Sequence, residues 1–281
     1  MRLHPMWTYM RRHGARVLSC VAVAMLGTVV GAGAHDFWLV PDAFQMKPGE
    51  ALVVRGQTGS SFPGSEAAVA VERIREARVV GADGEERITD LSHQGKSLLL
   101  RHRLRTAGQR IVAVSIGWRH VRESAESFRR YLVLEGAPEA LQRYERAGLL
   151  PADSTVRRYA KYAKTVVEVG GGNRAYSRVI GHPLEFIPLE DPGRASGRLR
   201  LRLLFGGSPL ANARVHAGAA PARGVSAAPS LELMTSEAGV IELPLDAAGS
   251  WNVRTLHIVP SAPTADAAWD VHWATFVFST R

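Results

Sequence analysis

Cysteine is nearly missing from this chain of 281 residues; Cys20 is the single one. It sits inside an N-terminal apolar run that reads as part of a cleaved leader, behind a poor lipoprotein box, Val17-Leu18-Ser19-Cys20. The body after residue 34 then has no thiol, which excludes disulfides, a disulfide-linked partner and thiolate metal ligands. Any metal must be held by His, Asp, Glu or the backbone. The Cys-x-x-Cys and HExxH zinc signatures are absent, as is the Gly-x-Ser-x-Gly elbow, and no spacing of Ser, His and Asp marks a triad. The expectation is a binding protein, not an enzyme. Basic clusters interleaved with stacking aromatics are also lacking. The arginines are spread among acids and leucines, so nucleic acid is not expected as a partner.

What is present begins with a secretory pattern. Residues 1–34 carry Arg2, Arg11, Arg12 and Arg16 and no acid, then the uncharged run from Val17 to Val30, then Gly31-Ala32-Gly33-Ala34. A basic start, an apolar stretch and a small-residue cleavage site make a signal peptide. At 14 residues the apolar run is short of the roughly 20 that a spanning helix needs. A periplasmic location is therefore expected. Of the 35 basic residues, the four leader arginines would be lost, leaving 31 against 26 acids, a mild net charge of +5.

The body reads mainly as strands. Ala51 to Arg55, Val69 to Val80, Ser97 to Leu104 and Arg110 to Gly117 are short β-rich runs, with turn chemistry at Ala82-Asp83-Gly84 and a hairpin expected at Thr106-Ala107-Gly108. From Glu123 to Leu150 the pattern is helical: Phe128, Tyr131 and Leu132 share one face, and Leu141 and Tyr144 repeat the spacing. Tyr159, Tyr162 and Ala163 show that spacing too, ahead of a strand at Thr165 to Val169. Beyond Gly170-Gly171-Gly172, strands resume. Leu199 to Phe205 alternates with Arg198, Arg200 and Arg202, and the last two strands span Trp251 to Val259 and Trp269 to Phe278. The expected fold is all-β, two β-sandwich domains (Ig-like and transthyretin-like) joined by a short helical segment. The divisions are signal peptide 1–34, N-terminal sandwich 35–121, helical linker plus connecting strand 122–182, and C-terminal sandwich 183–281.

Several segments, taken in order, resemble a known family. They are His35-Asp36-Phe37-Trp38-Leu39, Lys47-Pro48-Gly49-Glu50, Tyr131-Leu132 with Glu135-Gly136, Tyr159-Ala160-Lys161-Tyr162-Ala163-Lys164, Pro183-Leu184-Glu185-Phe186-Ile187-Pro188 and Asp270-Val271-His272-Trp273-Ala274-Thr275. The set is similar to a periplasmic family of unknown function associated with nickel- or cobalt-uptake substrate-specific (NikM-like) components. The resemblance implies two β-sandwiches, the second a transthyretin-like or carboxypeptidase-regulatory-type module carrying Ser208-Pro209-Leu210-Ala211-Asn212-Ala213 and Gly249-Ser250-Trp251. It also implies handling of nickel, cobalt or copper ions beside an inner- or outer-membrane transporter.

His35 is the first candidate metal ligand. Cleavage after Ala34 would free its α-amine beside the imidazole, and a second imidazole would complete three nitrogens. Cleavage after Ala32 would instead give Gly33-Ala34-His35, which can wrap Cu(II) or Ni(II) in a square-planar set of four nitrogens. Asp36 follows it. Strand alternation puts His257 on the side of Trp251, Val253 and Thr255, and His272 on the side of Asp270 and Phe276. His257 and His272 are the preferred partners, with His120 a third. His93, His102, His182 and His216 read as solvated. The competing expectation is a metal-free envelope module that docks a transporter or a cell-wall polymer.

Overall fold

One strand of this protein belongs to two hydrophobic cores at once, and the architecture follows from it. The computed structural model describes residues 35–220 and 230–280; the expected leader and its cleavage site lie outside them. The chain lays down β1 (Asp36–Pro41), β2 (Gln45–Met46), β3 (Ala51–Gly59), β4 (Ile74–Gly81), β5 (Gly84–Arg87), β6 (Asp90–Gln94), β7 (Ser97–Arg103) and the long β8 (Gly108–Ser124). Two helices, α1 (Ala125–Leu134) and α2 (Pro138–Arg146), lead into β9 (Ser154–Val169). Then come β10 (Leu184–Pro188), β11 (Arg198–Phe205), β12 (Ser208–Pro209), β13 (Arg214–Ala219), β14 (Leu231–Met234), β15 (Val240–Pro244), β16 (Gly249–Pro260) and β17 (Trp269–Thr280).

A nine-stranded sheet in the order β14-β13-β16-β17-β9-β8-β4-β5, with β2 added to β9, runs through both halves of the chain. Two four-stranded sheets pack on it, β1-β3-β7-β6 and β10-β11-β12 with β15 on β11. Alternation along β9 tells where. Ala163, Val167 and Val169 enter the core with Phe37, Leu39, Leu52, Val54, Leu98 and Leu100, whereas Ala160, Tyr162 and Val166 enter the core with Leu184, Phe186, Leu199, Leu201 and Leu203. Successive residues of a strand face opposite ways. The two smaller sheets therefore cover opposite faces of the large one, and the fold is all-β and sandwich-like. Residue 121, the expected end of the N-terminal sandwich, lies inside β8.

Local chemistry explains the elements. In β11 the arginine–leucine alternation buries Leu199, Leu201 and Leu203 while Arg198 and Arg200 stay in water. Ser124 caps α1 by accepting a hydrogen bond from the Ser127 amide, and Pro138 sits in the first turn of α2. Gly136, in the left-handed region at φ +84°, turns the chain between the helices. Phe128, Tyr131, Leu132 and Tyr144 pack on Trp269, Val271 and Trp273 of β17. The helices thus cap the sheet beside the N-terminal sandwich.

Two local expectations fail for a tertiary reason. Thr106-Ala107-Gly108 is no hairpin: β7 pairs with β3 and β6, while β8 pairs with β4 and β9, so the chain changes sheets there. Tyr159 and Tyr162 are not helical neighbours. They lie on opposite sides of β9, which is extended from Ser154 because β8 and β17 hydrogen-bond to both its edges. Pairing on both sides overrides a weak local spacing signal.

One buried ion pair ties the sheets together. Lys164 on β9 donates to Glu185 on β10 at 2.9 Å, with side chains 3% and 1% exposed. Glu185 also accepts from the amides of Ile180 and Gly181. Burial, opposed by the Glu185 charge, holds the Lys164 ammonium below its ordinary pKa. Lys164→Met strands a buried carboxylate and is expected to cost about 3–5 kcal/mol in urea unfolding, whereas Lys164→Met with Glu185→Leu should recover most of that loss. Equal destabilisation by the single and double variants would contradict this.

Candidate functional site: a histidine–aromatic face

The last two long strands fix the site. β16 and β17 pair antiparallel with His257 directly opposite His272, so both imidazoles leave the same face of the sheet. That face is the one bearing Trp251, Val253, Ala274 and Phe276, as their alternation requires. Phe205, at the end of β11, packs edge-on against both rings, with centroids 4.5 Å from His257 and 5.2 Å from His272. The Tyr162 hydroxyl lies 3.3 Å from His272 Nδ1. Where Nδ1–H donates to that oxygen, His272 Nε2 is left with a free lone pair. Burial pulls the pKa of His257 and of His272 down to about 4, so both rings are neutral at pH 7.

The same face continues toward β8. His120, Arg158 and Asp270 stand in register across β8, β9 and β17. Arg158 grips Asp270 with two hydrogen bonds, 2.7 Å from Nε and 3.1 Å from a terminal nitrogen. These bonds, with a further one from Ser261, hold the Asp270 carboxyl below its usual range against the opposing effect of burial. His120 Nε2 is 2.9 Å from Asp266, so this third candidate is committed to a carboxylate and exposed. A bulge between Ile116 and Arg119 presents Trp118, whose ring lies under Arg158 at 4.6 Å and edge-on to His272 at 5.2 Å.

His35 and Asp36 are elsewhere. Lys161 Nζ donates to the His35 carbonyl, and Thr275 Oγ1 donates to the Phe37 carbonyl at 2.6 Å. Both donors leave the opposite face of the large sheet from His272. The sheet therefore separates His35 and Asp36 from His257 and His272, and the expected shared set is not brought together. His35 Nε2 instead contacts Glu66 at 2.8 Å, and Asp36 meets Arg254 at 3.1 Å. Burial raises the Asp36 carboxyl to about 6, and burial lowers the Lys161 ammonium to about 8.

His182 corrects another expectation. It is buried, not solvated, with its ring 5.4 Å from Tyr162 and neither nitrogen hydrogen-bonded among the described residues. Burial takes its pKa down to about 3. Tyr162 thus lies between two buried neutral imidazoles. His182, Tyr162, Phe205 and Trp118 belong to the site without any local sequence pattern that marks them. Their meeting depends on β9 pairing with β17 and on β11 crossing that face.

The arrangement places two uncharged imidazoles on one face of the sheet, walled by aromatics. Among the described residues no group of three or more His, Cys, Asp or Glu could hold a metal ion.

No curated protein matches the sequence. Among solved structures the chain is similar to the D0-D1 domain of intimin, at 10% identity and a TM-score of 0.21, covering 87% of this chain and 98% of that one. It is similar to trypsin-activated alpha-2-macroglobulin from Escherichia coli, at 9% identity and a TM-score of 0.26, covering 86% of this chain but 16% of that one. A DUF4785 family protein from Legionella pneumophila matches at 10% identity and a TM-score of 0.24, over 76% of this chain and 49% of that one. Likenesses this distant have no bearing on activity. A family model covers residues 32–259, and the chain belongs to the family described as domain of unknown function (DUF4198).

Proposed function

We propose that this protein is a metal-handling accessory of the cell envelope that takes nickel, cobalt or copper as cargo at His257 and His272, for uptake or homeostasis. The observation that carries the reading is the register of β16 and β17, which sets the two imidazoles directly opposite each other. Divalent ions of the later first row favour neutral imidazole nitrogen. Tyr162 supports this by orienting His272 from behind, as an outer partner does for a ligating histidine. Two protein ligands suit a carrier, because an incompletely wrapped ion can pass to a partner. The reading gives His35 no part in the cargo site, since its ring already meets Glu66 and the sheet stands between it and the pair. The resemblance to nickel- and cobalt-uptake components supplies the class of cargo and a membrane transporter as partner.

A second reading, a metal-free docking module for a transporter or cell-wall polymer, draws on the exposed apolar side chains of Val133 and Leu134 at the end of α1 and of Leu149 after α2. Indifference to metal together with retention on envelope membranes would favour it.

Calorimetric titration with Ni(II), Co(II) and Cu(II) should give saturable binding of one ion per chain. His257→Ala and His272→Ala should each weaken it roughly tenfold or more, about 1.4 kcal/mol per decade, and His35→Ala should leave it unchanged. Loss with His35→Ala alone would move the site to the N-terminus.

The pH profile gives an independent check. Both ligands stay unprotonated until about pH 4, so affinity should hold from pH 7 to about 5 and fall only below that. A site built on a freed α-amine, with a pKa near ~8, would weaken at each step below pH 8. Stability of the metal-free protein follows the same two groups together with His182 and His216, whose pKa values burial also lowers. Their folded pKa values lie below the unfolded 6.5, so the unfolded chain takes up protons first. Stability is full above about 6.5 and is lost as pH falls toward 4. Asp36, raised to about 6, acts oppositely and offsets part of the loss in that window. Urea unfolding at stepped pH reads the net slope, and stability that rose on acidification would contradict it.

A further inference from the structure

On the far side of the large sheet, β1 and β16 enclose a second polar site that the metal reading does not use. Asp36 and Trp38 project from β1 on the side opposite Phe37 and Leu39, which fill the N-terminal core. They meet Asn252 and Arg254 of β16, while His216 and Gly218 of β13 pair with those two residues and continue the floor. Ser60, Ser61 and Phe62 close the third side, with Phe62 edge-on to Trp38 at 5.6 Å. The cleft holds about 180 Å³. That is below the ~300–1,000 Å³ of drug-sized sites and suits one small ring. Among the described residues, nothing lies within 4 Å of where a Gly218 side chain would begin.

Its polar atoms are short of partners. Asp36 Oδ1, Trp38 Nε1 and Asn252 Oδ1 are buried with no hydrogen bond among the described residues, in side chains of residues only 7%, 1% and 6% exposed. Native proteins pair nearly all such atoms. Four orphans belong to residues of this cleft; His216 Nε2, the fourth, lies against Gly136, and the other three point to a ligand that pairs them. The second Asp36 oxygen is held by Arg254 Nε at 3.1 Å, so the one negative and one positive lining charge offset each other. His216 is neutral at pH 7, because burial takes its pKa down to about 4.

The chemistry narrows the ligand. Arg254 opposes a cation. Two acceptor oxygens oppose an anion. An apolar molecule would leave Asp36, Trp38 and Asn252 unpaired. The ligand must donate to Asp36 and Asn252 and accept from the Trp38 N–H, and hydroxyl groups do both. We propose that this cleft binds a small neutral polyhydroxy compound, a single sugar ring or polyol, through Asp36, Trp38 and Asn252.

The test is calorimetry, with saturation-transfer NMR, on the purified full-length protein and a panel of glucose, galactose, N-acetylglucosamine and glycerol, with lysine and acetate as charged comparators. At least one neutral compound should bind saturably in the millimolar range or tighter. Trp38→Phe keeps a ring and removes the donor, and Asn252→Ala removes an acceptor from the opposite strand. Each should weaken binding at least tenfold while circular dichroism shows a folded chain, and His257→Ala with His272→Ala should leave it intact. If Trp38→Phe fails to fold, Asn252→Ala decides alone. No saturable binding by the neutral panel would mean that ordered water fills the cleft and would overturn the proposal. Binding of only the charged comparators would overturn it too, as would sugar binding indifferent to both cleft variants.

Discussion

The parallel pairing of β9 with β17 is the contact on which the rest of this protein depends. It joins the strands of the N-terminal half to those of the C-terminal half in one sheet, from Arg157 opposite Trp269 to Thr165 opposite Val277. With β8 on its other edge, β9 is hydrogen-bonded on both sides and covered on both faces. In a sheet packed on one side only, every second residue of such a strand would face water; here Ala160, Tyr162, Ala163, Val166 and Val167 are all buried. The two sandwiches are therefore not beads on a linker. Each uses one side of the same strand.

That arrangement also divides the chemistry. Residues of opposite parity on the shared sheet cannot meet, however close they are in sequence or number. His272 and Tyr162 belong to the face under β11, whereas Lys161 and Thr275 reach β1 on the other. A pair of neutral imidazoles thus lies on one side and the polar cleft of Asp36, Trp38 and Asn252 on the other. Neither can borrow ligands across the sheet. The bonds that seat β1, from Lys161 to the His35 carbonyl and from Thr275 to the Phe37 carbonyl, hold Asp36 and Trp38 over Asn252 and Arg254.

The sequence was legible where one strand or helix decides the outcome. Arginine–leucine alternation marked β11, the Phe128, Tyr131 and Leu132 spacing marked α1, and period-two counting put His257 and His272 on the sides they occupy. It was illegible where pairing decides. That His257 faces His272 depends on register, and register is carried by the whole β16–β17 ladder, not by any short motif. His182 looked solvated beside a glycine and a proline, yet the β9 face buries it against Tyr162. The hairpin expected at Thr106-Ala107-Gly108 failed because the chain crosses from one sheet to another there. His35 and Asp36 were marked by position in the chain, and the fold sends them to the face that His257 and His272 do not share.

Histidine-selective NMR during titration with Ni(II) bears most directly on the central proposal, that His257 and His272 hold a cargo ion on one face of β16 and β17. The paramagnetic ion should broaden the ring signals of His257 and His272 first, with His182 next and His35 unaffected. Broadening that begins at His35, or that spreads over all the histidines without order, would contradict it.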